Sequence, residues 1–423
     1  MKVTKEITYR CIQDKREEIE NATVVSRPFE FEDNANYVMV GVRHVGKSYM
    51  LYQRIKQLLS EGHDWDEILV IDFDDERLSE FRTEDLNLLL EAHLERYGKR
   101  PYIFLDEVQN IPAWDKFARR LANEKYHVYI TGSNARMLSK DVATTLGGRF
   151  QIVDVYPFSF SEFLQAKGVT ISDQWQYSTV EKSEVLRQFR EYFVYGGLPE
   201  ITDYKQKRAL LSSLYQKIYL SDICTRNAIR NSKILNMIIK KLAESVKQPI
   251  SYTRLKNIVV STGCQTSVPT VMDYTSFAED AWLVVPIENE LARLADKESN
   301  KKYYFIDNGI LNLFLIDDDP SLLENLVAIE LCRRYGRENI SYYLSEKEID
   351  FVVPDERLAV QVCYSLSEES TREREIAPLR QFATKHTDWQ LLIITYDEAD
   401  TIQLANSTIK VQPIYQWLLN DKH

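Results

Sequence analysis

Tyr37-Val38-Met39-Val40-Gly41-Val42-Arg43-His44-Val45-Gly46-Lys47-Ser48 is the stretch on which the fold turns. From Gly41 through Gly46, Lys47 and Ser48 it fits G-x-x-x-x-G-K-[ST] without a mismatch. The spacing has a chemical reason. Gly41 and Gly46 let the backbone turn sharply, so that successive N–H groups point inward at phosphate oxygens. Lys47 then reaches the terminal phosphates, and the Ser48 hydroxyl is placed to ligate Mg²⁺. The flanks agree with the loop: Tyr37 to Val40 read as a buried strand, and Ser48 to Ile55 as a helix whose N-terminus faces an anion. Strand, loop and helix together predict an α/β nucleotide-binding core. Gly41, Val42, Arg43, His44, Val45, Gly46, Lys47, Ser48 and Tyr49 are expected around the phosphates.

Outward from that loop, Glu67-Ile68-Leu69-Val70-Ile71-Asp72-Phe73 reads as a second buried strand ending in acids, and residues 84–98 as a leucine-rich helix. Tyr102-Ile103-Phe104-Leu105-Asp106-Glu107 then places two acids after an apolar run, with Asp106 58 positions beyond Ser48. This is a Walker B pattern. Asp106 stands where a carboxylate holds Mg²⁺, and Glu107 where a base orients the attacking water. Many apolar strands end in acids without catalytic meaning; the intact loop upstream is what gives these two a role. Glu107 points to hydrolysis as well as binding. Val128-Tyr129-Ile130-Thr131 is a further strand, ending in Gly132-Ser133-Asn134.

With 423 residues, 44% of them hydrophobic and 28% charged, the chain has a globular composition and too much length for one ordinary core. No apolar run approaches the ~20 residues that span a bilayer, and the first residues lack the apolar core of a signal peptide. Cys11, Cys224, Cys264, Cys332 and Cys363 are scattered and never in a C-x-x-C pair, so they read as reduced thiols in a cytoplasmic protein. A net charge of −11 argues against a chain that coats nucleic acid throughout. Residues 201–241 nevertheless hold nine Lys/Arg against Asp203 and Asp222, whereas residues 301–423 hold 13 basic and 21 acidic side chains. A basic middle and an acidic end read as separate modules. The basic stretch is either a solvated helix face or a phosphate-contacting surface.

The motifs GVRHVGKS (41–48), FLDEVQNIPAWD (104–115), ITGSNARML (130–138), GGRF (147–150), YPFSFSEFL (156–164), YGGLPE (195–200), YLSDICTR (219–226), KKYYFIDNGI (301–310), ENLVAIEL (324–331) and EIDFVV (348–353) run through nearly the whole chain. In this order they resemble the prokaryotic AAA-type ATPases that carry a C-terminal domain of unknown function related to PD-(D/E)xK nucleases. The resemblance implies an AAA+ P-loop core close to the origin-recognition and STAND groups over residues 1–155. It further implies a helical lid over 156–243, a winged-helix-like module over 244–300 and a nuclease-like α/β domain over 301–423.

Carried over by position, it makes ATP with Mg²⁺ the bound species. A sensor at the tip of the strand after Walker B falls on Asn134, with Ser133 or Thr131 as alternatives. Arg149, after Gly147-Gly148, falls where an arginine finger would act, on its own site or a neighbour's, although an ordinary surface arginine fits as well. Pro199 of Gly197-Leu198-Pro199 is implied to pack on the adenine. The winged helix would begin at Pro249, with Ser251 capping one helix, Ser267 or Thr270 the next, and Leu283 to Pro286 as a wing strand. Its recognition segment, Ser267 to Tyr274, contains no Lys or Arg, which favours a spacer over a DNA reader. DNA, through that module or the basic lid, and a protein partner are the candidate ligands besides nucleotide; no membrane contact is expected. In the nuclease-like end, Glu330 and Asp350 are the expected carboxylates. Gln361-Val362-Cys363 stands where E-x-K would be, so cleavage chemistry there is expected to be lost.

Overall fold

The computed structural model describes residues 4–133, 144–405 and 407–420. The chain divides into two compact units, Met1–Val155 and Tyr156–His423.

In the first unit the apolar runs pair with one another, because a strand with two apolar faces can bury both only inside a covered parallel sheet. The strands are β1 (Asn36–Val40), β2 (Ile68–Asp72), β3 (Tyr102–Asp106), β4 (Val128–Gly132) and β5 (Phe150–Asp154), all parallel and ordered β2-β3-β4-β1-β5. β5 has no counterpart in the sequence reading. It is an edge strand with its middle exposed (Ile152 is 48% accessible), so it carries no apolar run to betray it. The helices are α1 (Lys5–Asn21), α2 (Lys47–Ser60), α3 (Leu86–Tyr97) and α4 (Trp114–Asn123). Thr4 caps α1 by accepting the Ile7 N–H. Buried Arg16 ties α1 to the sheet and to α3, donating to the Ile68 carbonyl (2.7 Å) and the Tyr97 hydroxyl (3.0 Å).

The second unit opens with helices α5 (Phe160–Ala166), α6 (Thr179–Tyr195) and α7 (Lys207–Lys217), a π-helical stretch Ile218–Thr225, and α8 (Ser232–Glu244). Next come β6 (Ile250–Ser251), α9 (Tyr252–Ser261), α10 (Val268–Asp280), β7 (Val284–Asn289) and β8 (Asn300–Phe305). Ser251 accepts the Arg254 N–H and Ser267 the Thr270 N–H, so each caps its helix. The remainder is α11 (Asp319–Tyr335), β9 (Ser341–Leu344), β10 (Glu348–Val353), β11 (Leu358–Val362), α12 (Glu369–Ala383), β12 (Gln390–Thr395), β13 (Asp400–Gln403), β14 (Thr408–Pro413) and α13 (Ile414–Leu419). Among the described residues all nine strands join one mixed sheet, ordered β13-β14-β12-β11-β10-β9-β7-β8-β6. α11 is buried without interruption from Ser321 to Cys332, which is why its sequence shows no amphipathic stripe.

Candidate nucleotide site

β1 delivers the chain to Gly41 beneath the end of β5. A Cβ on Gly41 would lie 2.3 Å from the Val155 carbonyl oxygen, so only glycine passes there. Gly46 takes a left-handed conformation (φ 94°) immediately before α2, so that the helix starts at the loop with its N-terminus toward it. The Lys47 ammonium is buried and held at the loop: it donates to the carbonyls of Gly41 (3.2 Å) and Val42 (3.1 Å) and lies 3.8 Å from Glu107 Oε1. Val42 and Val45 are buried at the loop's base, Arg43, His44 and Ser48 are half-buried, and Tyr49 is exposed.

Arg27 is a residue that the sequence reading passed over. Its guanidinium donates to the Val45 carbonyl of the loop (2.7 Å). Its backbone N–H donates to Gln53 on α2 (2.8 Å), and the Gln53 amide donates back to the Arg27 carbonyl (3.0 Å). The segment ahead of β1 therefore clamps loop and helix together. The signal in the sequence was slight, an arginine kept extended by the following Pro28.

The two acids end β3 beside β2, with Asp106 opposite Asp72 in register. Asp106 is buried, and desolvation, reinforced by the Asp72 and Glu107 charges, pushes its carboxyl up to about 6 against hydrogen bonds from Thr131 and Ser48. Lys15 on α1 offsets part of that repulsion by pairing with Asp72 at 2.9 Å. Burial also raises the Glu107 carboxyl, but the Lys47 charge, the Gln109 hydrogen bond, Arg43 and Ser133 outweigh it and hold Glu107 below the usual carboxylate range. Glu107 has a left-handed backbone (φ 50°), uncommon for a residue with a Cβ. Thr131 on β4 fixes it there: its hydroxyl donates to Asp106 Oδ1 and accepts the Glu107 N–H (2.9 Å). The Gln109 amide donates to both the Glu107 carboxylate and Ser133 Oγ.

The structure thus gathers Gly41 through Ser48 with Asp106, Glu107, Thr131 and Ser133. Asn134, the first choice for the sensor, lies outside the described residues. Arg149 is placed elsewhere: it precedes β5 at the end where Asn36 begins β1, and its carbonyl accepts from the Asn36 amide (3.0 Å). The phosphate loop leaves the opposite end of β1, a strand length of about 13 Å away. The Arg149 side chain is exposed and donates to the Gly147 carbonyl (3.3 Å).

Pro199 belongs to the second unit, where it opens a short 3₁₀ turn to Ile201. The glycines before it answer to packing. A Cβ on Gly196, whose φ is +76°, would meet Asp307 Oδ1 at 2.1 Å. Asp307 is buried and accepts the N–H groups of Gly197 (2.7 Å), Gly309 (2.8 Å) and Ile310 (3.3 Å), which binds the Gly196-Gly197 turn to the Asp307-Asn308-Gly309 turn.

The expected pairing of Glu330 with Asp350 is corrected. The Glu330 carboxylate is engaged by Arg333 and by Arg334 (2.7 Å) on its own helix. Glu324, not Glu330, is the α11 carboxylate near Asp350, since both contact the Lys302 ammonium. Six positions on a helix amount to about 600°, so the two glutamates leave α11 on different faces. Gln361 instead donates to Glu375 (2.8 Å). Among the described residues no helix is long and apolar enough to cross a membrane.

Residues 33–164 match the family described as AAA domain, and residues 186–321 the one described as Domain of unknown function (DUF8612). The uncharacterized protein MJ1544 of Methanocaldococcus jannaschii is 33% identical over 96% of this chain and 94% of its own. An uncharacterized protein of Haemophilus influenzae is 29% identical over 90% and 94%. Similar solved structures include the Walker-type ATPase PABY2304 of Pyrococcus abyssi, with a TM-score of 0.38 and 12% identity over 74% of this chain and 95% of that one. AMPPCP-bound DnaA from Aquifex aeolicus gives a TM-score of 0.25 and 12% identity over 66% and 89%. Identity of 33% along nearly the full length of both chains, with the AAA domain matched over the phosphate loop and both Walker acids, places this protein in the family of the Methanocaldococcus jannaschii protein MJ1544, as an AAA-domain P-loop protein.

Proposed function

We propose that the protein is a Mg²⁺-dependent ATPase whose first unit binds and hydrolyses ATP. The observation that carries this reading is the Glu107 carboxylate 3.8 Å from the Lys47 ammonium at the phosphate loop, with Thr131 bonded to both Walker acids. Loop N–H groups and Lys47 bind the phosphates, and Glu107 accepts a proton from the attacking water. The donor set suits a hard cation: Ser48 offers a hydroxyl and Asp106 a carboxylate within hydrogen-bond reach of each other. Bound there, Mg²⁺ would neutralise charge building up on the β- and γ-phosphates. Thr131 and Ser133 position Glu107, Asn134 is assigned the sensor role, and Arg149 acts on a neighbouring copy if it is a finger.

In the second unit we assign Pro199 to the adenine, and residues 244–300, which hold β6, α9, α10 and β7, to a winged-helix-like module. α10 carries no Lys or Arg and three acids, Asp273, Glu279 and Asp280, which supports a spacer over a DNA reader. Residues 301–423 we assign to a nuclease-like module without cleavage chemistry. Nucleotide state would change how these modules are presented.

Steady-state phosphate release from ATP tests the enzyme reading. It should require Mg²⁺ and be lost in Lys47→Ala together with nucleotide affinity. ATP binding with no multiple turnover under any condition would leave the second reading, a slow nucleotide switch that recruits a protein. The Gln109 bond to the Glu107 carboxylate favours that reading, because it occupies the base.

A further inference from the structure

In the second unit β8, β10 and α11 converge on one ammonium. Lys302 Nζ is 2.6 Å from Glu348 Oε1, 3.2 Å from Glu324 Oε1 and 3.5 Å from Asp350 Oδ1, and its side chain has no solvent exposure. Neutral donors add to the set, and a further carboxylate, Glu375, lies beside it. Tyr304 donates its hydroxyl to Glu324 (2.8 Å), the Val362 N–H donates to Asp350 Oδ2 (2.8 Å), and Gln361 and Arg374 serve Glu375. The cluster borders a cleft of about 720 Å³, whose lining also includes exposed Lys247, Lys347 and Arg374.

The resemblance to PD-(D/E)xK nucleases implies a divalent metal on the helix carboxylate and Asp350. The residues present do not fit one. A hard divalent cation needs several carboxylate or carbonyl oxygens at about 2.0–2.6 Å, and the point on which Glu324, Glu348 and Asp350 converge is filled by a positive charge of the chain itself. Nor does Cys363 replace the lysine of E-x-K. Burial pushes its thiol up to about 11, and its S–H donates to the Ser365 carbonyl (3.1 Å). The lysine missing from β11 has a counterpart on β8, but inside the carboxylate set rather than beside it.

We propose that Lys302 is a resident cation that takes the place of a divalent metal, so that this cleft neither binds Mg²⁺ nor cleaves phosphodiesters. Removing the amine turns the same carboxylates into a divalent-cation site. The ammonium offsets part of the negative charge that buried Glu324 and Asp350 and half-buried Glu348 bring together, and it does so at any metal concentration.

Terbium luminescence on the full-length, nucleotide-free protein tests this, because Tyr304, hydrogen-bonded to Glu324, sits where it would sensitise an ion held by these acids. Wild type should show no saturable emission that Asp350→Asn removes. Lys302→Gln should gain saturable emission, displaced by Ca²⁺, and Lys302→Gln combined with Asp350→Asn should lose it. If Lys302→Gln is destabilised, Ca²⁺ should raise its melting temperature and leave that of wild type unchanged. Wild-type emission abolished by Asp350→Asn overturns the proposal. So does a Lys302→Gln protein whose emission and melting temperature both ignore Ca²⁺, and the wild-type arm decides even if the variant does not fold.

Discussion

The Thr131 hydroxyl joins the two Walker acids by donating to the Asp106 carboxylate and accepting the backbone N–H of Glu107, which stands in a left-handed conformation. One buried hydroxyl thus orders both Walker acids together. Thr131→Val keeps the shape and removes both bonds. It should destabilise the first unit by about 2 kcal/mol and lower ATP turnover about tenfold or more, with a smaller change in ATP affinity. Phosphate-release kinetics and fluorescent-nucleotide binding on the same preparation separate the two effects.

Gln109 holds the carboxylate of Glu107 and the hydroxyl of Ser133. If that contact restrains the base, Gln109→Ala should raise basal turnover several-fold without altering ATP affinity. A fall in turnover would make Gln109 a positioning group instead.

Arg149, a strand length from the loop of its own copy, cannot reach its own γ-phosphate without rearrangement of β5. A finger role therefore requires assembly. Specific activity should rise with protein concentration, and Arg149→Ala should flatten that rise while leaving ATP affinity within about twofold. Activity independent of concentration in both proteins would make Arg149 a surface residue.

His93 is 2% accessible, and its ring contacts the Asp66 carbonyl at 2.9 Å. Burial lowers its pKa to about 4, against about 6.5 unfolded. The unfolded chain therefore binds the extra proton first, so stability is complete above pH 6.5 and is lost as pH falls toward 4, by up to about 3 kcal/mol. Denaturant midpoints across that window should fall in wild type and fall less in His93→Gln.

Gly196 packs against the Asp307 carboxylate with positive φ. Gly196→Ala should cost more than about 2 kcal/mol through strain and overlap, seen as a lowered melting temperature. Near-normal stability with weakened ATP binding would instead give the turn before Pro199 a direct nucleotide role.

The phosphate loop and both Walker acids were legible because their chemistry is written in consecutive residues. In the first unit every parallel strand with an uninterrupted apolar run was legible too, and only the half-exposed edge strand β5 was missed; in the second unit the apolar β12 went unread. What could not be read depends on groups brought together from distant segments. Arg27 supports the loop across 18 positions, and Lys302 lies 48 before Asp350, with neither spacing forming a pattern. The choice of Glu330 over Glu324 failed for a related reason: α11 is buried on every side, so its sequence holds no stripe from which the inward face could be told.

The central claim, that Glu107 activates water in a site that binds ATP through Lys47 and the loop, is tested most directly by Glu107→Gln. The substitution keeps size and hydrogen bonding and removes the base. The account predicts multiple-turnover hydrolysis at background with Mg²⁺-ATP affinity retained, measured by phosphate release and fluorescent-nucleotide titration in parallel. Ordinary turnover in Glu107→Gln would contradict it.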